Sequence, residues 1–139
     1  MKTKTDLHSP FLHSNMGFET YGVIENQNIG DKEFNDLVVS GALISLTSFK
    51  NVTFRSCVFF ATRLENVNFA NCTFIDCKFQ FSGVEHCHFA NTSLENCSWE
   101  ASPINKSSFY ACGMDFKTSH HLLRGNNRIT LDPAFAEAA

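Results

Sequence analysis

Six cysteines and six histidines are the residues of this chain best suited to chemistry, as thiolate nucleophiles, disulfide partners or metal ligands. The densest cluster is His86-Cys87-His88, followed by His120-His121. Structural zinc needs paired Cys/His ligands at a set spacing, and no second pair stands at such a spacing from the first cluster. On an extended segment, alternation sends Cys87 to one side and His86 and His88 to the other. Two adjacent residues such as His120 and His121 diverge on a helix. There is no Gly-rich phosphate loop, no G-x-S-x-G elbow and no H-E-x-x-H. These features lead us to expect no catalytic centre, no metal site and no cofactor.

The elements that position these residues follow from a repeat. Every fifth residue from Ile24 to Met114 is large and apolar, a run of nineteen. With 43% of the chain hydrophobic, chance yields such a run roughly once in ten million trials. Neither a helical period nor a simple strand alternation produces it; a persistent fixed period marks a solenoid. Two residues before each large position stands a small or β-branched one, from Ala42 through Cys57, Thr62, Ser82 and Cys97 to Cys112. All six cysteines lie on this second series. Residues i−2 and i of an extended segment share a side, so each unit of five places one small and one large side chain inside and then turns.

A longer period gives the number of sides. Every fourth unit collects Phe49, Phe69, Phe89 and Phe109 in one column, with Ile24, Ile44, Leu64, Val84 and Ile104 in the next. Asn51, Asn71 and Asn91 form a column just outside the Phe one. Grouping by three units mixes Phe with Leu, so twenty residues per coil and four sides fit best. The units Val67-Asn68-Phe69-Ala70-Asn71, Cys72-Thr73-Phe74-Ile75-Asp76 and Cys87-His88-Phe89-Ala90-Asn91 resemble those of the pentapeptide-repeat proteins. The resemblance implies an all-β fold, a right-handed quadrilateral β-helix, over residues 22–116. Phe replaces the family's commoner central Leu, and Cys, Thr, Ser and Val replace its Ala at i−2, which alters core packing without threatening the fold. Four to five turns at about 4.8 Å each make a stub of about 20–25 Å.

Residues 1–21 are expected to form a polar N-terminal cap, with a strand through Phe18 to Ile24. Residues 117–139 are expected to form a helical C-terminal cap and tail. Its first helix is expected over Thr118–Gly125, ended by the glycine, and a second over Asp132–Ala139, opened by an Asp N-cap and a Pro at N1.

Fifteen Phe against two Tyr and one Trp indicate side chains chosen to fill an interior. The net charge of −3 and the absence of a basic run argue against a nucleic-acid partner. No segment reaches membrane-span or signal-peptide length. Cysteines stacked one per coil with parallel side chains are poorly placed for disulfides, so reduced thiols and a cytoplasmic location are expected.

Outside the coil, Phe60 and Phe81 are expected to project into solvent, with Val38, Val58 and Leu46 on the same face or corner. Aromatics rimmed by polar groups are what interface anchors look like. A protein partner, or a second copy making a homodimer of the monomer, is therefore expected. By analogy with the family, the first expectation is an immunity or inhibitor protein that blocks a toxin or enzyme by occlusion. Other members of that family protect DNA gyrase by imitating DNA, and a scaffold or adaptor is a third role. Between residues 34 and 114 acidic and basic residues nearly balance, which weakens the mimicry role.

Overall fold

The computed structural model describes residues 17–20, as backbone only, and 22–130. The expected helix at Asp132–Ala139 and most of the expected N-terminal cap lie outside these residues. The chain winds as a parallel β-solenoid of about five turns. Each turn has four faces, and strands of successive turns pair in parallel at a register of twenty residues, as Ile24↔Ile44, Ile44↔Leu64 and Leu64↔Val84 do.

Face one stacks Gly17–Thr20, Leu37–Ser40, Val58–Phe60, Lys78–Gln80 and Ser98–Glu100. Face two stacks Val23–Glu25, Leu43–Ser45, Arg63–Glu65, Gly83–Glu85 and Ile104–Asn105. Strands Asn28–Asn35 and Ser48–Arg55 run through a corner and join faces three and four into one sheet. Face three continues through Asn68–Ala70, His88–Ala90 and Ser108–Tyr110, and face four through Thr73–Ile75, Ser93–Glu95 and Gly113–Met114.

The interior is built of columns. Phe49, Phe69, Phe89 and Phe109 stack with centroids 5.1, 4.7 and 4.5 Å apart and nearly parallel rings, as the period of twenty implies. Phe34, Phe54 and Phe74 form a second column, and Phe59, Phe79 and Trp99 a third. Face two supplies the aliphatic column, Ile24 to Ile104, all of it buried. Rings of neighbouring columns meet edge-on, as Phe69 and Phe74 do at 5.2 Å and 71°, which suits the aromatic quadrupole.

From Ile24 to Phe109 the corner follows two residues after each large inward side chain, and φ there is positive, from 47° at Ala101 to 67° at Gly41. Asn and Asp tolerate this left-handed conformation best among residues with a side chain. That accounts for the Asn51, Asn71 and Asn91 column. The corner amide donates to a carbonyl of the next coil, Asn71 N–H to Ala90 O at 3.0 Å for example.

The small inward position has a second task besides fitting. Its own backbone N–H faces the interior, where a donor without a partner costs about 1–3 kcal/mol. Thr62 N–H donates to Ser82 Oγ at 3.0 Å, and Ser82 N–H to Ser102 Oγ at 2.9 Å. Ser82 Oγ donates in turn to Phe59 O at 2.9 Å. A hydroxyl both accepts and donates, so it bonds twice to the coil before it where Ala bonds not at all. Cysteine supplies the same donor: Cys77 Sγ lies 3.3 Å from Phe54 O and Cys57 Sγ 3.4 Å from Phe34 O. All six thiols are free; five are buried and Cys112 is half-buried.

A short helix, Phe116–Leu122, closes face one. It begins and ends before the expected span, with Asp115 as N-cap and Leu123 in an ordinary right-handed conformation as C-cap. Gly125 is therefore not a left-handed stop. A Cβ there would lie 2.0 Å from Ile104 O and 2.7 Å from Asn105 Oδ1, so this glycine permits the chain to press against the last coil. Beyond it Arg128–Thr130 pairs with Ser108–Tyr110, Phe109 opposite Ile129, and the period of twenty resumes. Asn127 Oδ1 accepts Ser107 N–H at 3.1 Å, the task a hydroxyl performs in the coils below. Among the described residues no helix is long and apolar enough to cross a membrane.

Candidate protein-binding surface

The outward positions of face one carry the apolar patch. Val38 and Val58 sit in register in adjacent coils, both half-buried. Phe60 lies outward two residues past Val58 and is 39% exposed. Phe81 stands on the next corner, one coil further along, and is 58% exposed. Its ring meets Phe60 edge-on with centroids 5.8 Å apart at 79°. Lys78, Gln80 and Glu100 border the pair, with Gln80 Nε2 donating to Glu100 Oε1 at 3.4 Å.

Leu46 does not join this patch. It is exposed, but on the corner between faces two and three, with the whole of face two between it and the corner that holds Phe81. Successive corners of a four-sided coil point in different directions, which residue numbers spaced along a single chain do not reveal.

Phe81 combines two unfavourable features. It occupies a corner at φ 52°, where a residue with a bulky side chain costs roughly 1–2 kcal/mol. It also leaves a Phe ring in water, forgoing roughly 1.5–3 kcal/mol of burial. The same corner column holds Gly41, Ala61 and Ala101.

The groups singled out for chemistry are dispersed by the fold. Cys87 is buried while His86 and His88 are exposed, so the three do not converge. His120 stacks on Phe116, whereas His121 stacks on Trp99 with centroids 5.6 Å apart. His121 Nε2 lies 2.8 Å from Ser102 O and must carry the proton, since a carbonyl only accepts. Trp99 Nε1–H donates to Thr118 Oγ1 at 3.0 Å. His121 thus caps the face-one column, a role the period could not signal because it lies off the register of twenty. Among the described residues no group of three or more His, Cys, Asp or Glu side chains could hold a metal ion.

Burial pushes the Cys87 thiol up to about 11 and raises those of Cys72 and Cys112. Cys57 is raised by the Cys77 thiol it hydrogen-bonds and by its own burial. These groups stay protonated near neutrality, the reverse of what a nucleophile needs. No protein-family model matches the chain, and no curated protein matches it.

Proposed function

We propose that the chain is a pentapeptide-repeat protein that binds another protein: a small bacterial immunity or inhibitor protein that blocks a toxin or enzyme by occlusion. The unit of five, the coil of twenty and the left-handed corners support the family reading. Buried free thiols support a reducing compartment, the cytoplasm. The observation that carries the binding role is Phe81, an exposed ring on a corner that disfavours it, in edge contact with Phe60. Folding gains little from that arrangement, whereas a partner gains an aromatic anchor with a polar rim. A DNA mimic needs dense negative charge, but the outward rows mix Lys50, Arg55, Arg63 and Lys78 with Glu65, Asp76 and Glu85. That mixture favours occlusion.

The test uses wild-type and Phe60→Asp/Phe81→Asp proteins as baits, with the captured protein purified and titrated against both. Wild type should bind and inhibit it, and the double variant should do neither. Phe81→Asn is the control for folding. Relief of roughly 1–2 kcal/mol of backbone strain offsets the roughly 0.5–1.5 kcal/mol of a lost aromatic pair. Its melting temperature should therefore match wild type while binding weakens. A homodimer would appear as a drop in solution mass of the double variant. Equal capture and equal mass for all three proteins would remove the patch from the function.

A further inference from the structure

The C-terminal end of the solenoid holds a cationic groove that is separate from the aromatic patch. Along the outer side of face three, His88, Ser108 and Arg128 occupy equivalent positions in three successive coils, each in register with the next. Lys106 stands on the adjoining corner, and its backbone N–H donates to Asn126 O at 2.6 Å. Together they line a groove of about 520 Å³. No carboxylate lines it. Two of its other lining residues are already engaged, Ser107 N–H with Asn127 Oδ1, and Asn127 Nδ2 with Ile104 O and Leu122 O.

Among the described residues the ion pairs are Arg55 with Glu33 and Arg63 with Glu65, and neither Lys106 nor Arg128 takes part in one or in a side-chain hydrogen bond. Between residues 101 and 130 the one carboxylate is Asp115. Its oxygens are occupied by the backbone amides of Thr118 and Asn96, on the far side of the cap. Lys106 also holds φ 52° on a corner where Asn is the cheaper choice, and Asn66 occupies the equivalent corner two coils below.

We infer that this groove binds a phosphate group, free or as the monoester end of a small molecule. The donors differ in kind and direction: a guanidinium fork from Arg128, a point charge from Lys106 and a hydroxyl from Ser108. His88 Nδ1 lies 2.5 Å from Ser108 Oγ, and as a donor to that oxygen it leaves the hydroxyl proton free to point at the ligand. A compact oxyanion with several acceptor oxygens satisfies all of these at once. A single carboxylate satisfies fewer. The volume exceeds what a bare phosphate fills, which leaves room for the remainder of a monoester.

The experiment is amide-resolved NMR of the full chain at fixed ionic strength, titrated with inorganic phosphate and, separately, with glucose 6-phosphate. Saturable shifts should concentrate at residues 106–108 and 126–128. Tighter binding of the ester identifies a monoester as the ligand, and equal affinity identifies free phosphate. Lys106→Asn, which suits the corner, and Arg128→Gln should each weaken binding about tenfold, the worth of one charge-assisted hydrogen bond. Their melting temperatures should match wild type. Shifts spread over Lys50, Arg55 and Lys78 as well, or titrations unchanged by both substitutions, would overturn the assignment. Neither readout depends on Phe60 or Phe81.

Discussion

At the small inward position a thiol and a hydroxyl have nearly the same size but different hydrogen-bonding capacity, and both differ from alanine. Thr62, Ser82 and Ser102 link coil to coil through backbone amides, while Cys57, Cys77 and Cys97 donate to carbonyls and present soft, apolar sulfur to the aromatic columns. With a chromogenic disulfide reagent at mildly alkaline pH, half-buried Cys112 should react first and the other five only as the protein unfolds. Rapid labelling of several thiols in the native state would put them outside the coil. Burial raises Cys87 from its ordinary 9.0 to about 11. A raised thiol contributes stability that is complete below pH 9 and is lost as pH climbs through 11, on the order of 2 kcal/mol. The melting temperature should fall across that window, and Cys87→Ser should fall less steeply.

At the scale of the element, the helix Phe116–Leu122 is held by its start more than by its length. Seven residues are too few for a helix to persist alone. Asp115 fastens it in two directions, Oδ1 accepting from Thr118 N–H at 3.1 Å and Oδ2 from Asn96 N–H at 3.1 Å in the coil beneath. The Thr118 amide bond holds the Asp115 carboxyl below its usual range, so this contribution is present above the ordinary carboxylate pKa and lost as pH falls through the lowered one. Asp115→Ala should cost about 1–2 kcal/mol in urea denaturation, the upper part of the range for an N-cap, because both bonds go together. Faster hydrogen exchange at Asn96 and Thr118 should accompany it. Unchanged exchange at Asn96 would show that the helix is held by Trp99 and His121 alone. A short helix after Met114 was legible in the sequence. Its limits were not, because Gly125 reads as a stop and instead serves a close approach to Ile104.

For the molecule as a whole, each coil touches only its neighbours, so stability accumulates along the axis and a defect is felt locally. Phe69 is the sharpest probe. It stacks on Phe49 and Phe89 and meets Phe74 edge-on, with 3% of its surface exposed. Phe69→Ala should cost about 3–5 kcal/mol, a large share of the ~5–15 kcal/mol that stabilises a domain. The unfolding midpoint in urea should drop accordingly. A drop smaller than that of a surface substitution such as Lys50→Ala would mean that the column does not support the fold.

The amino-acid sequence by itself determined the unit of five, the coil of twenty, the Phe and aliphatic columns, the inward thiols and the outward Phe60 and Phe81. Those features follow from alternation and period, which relate equivalent positions and need no three-dimensional knowledge. The tertiary structure alone decided which non-equivalent positions meet. Phe60 touches Phe81 because a strand residue of one coil reaches the next coil's corner, whereas Leu46 lies across face two from that corner. The hydroxyl ladder, the His121 cap and the return of Arg128–Thr130 to the sheet belong to the same class. Each depends on the direction in which a corner turns the chain, and on backbone amides whose partners lie about twenty residues away. A repeat in side-chain type records that a corner exists. It does not record what the corner faces.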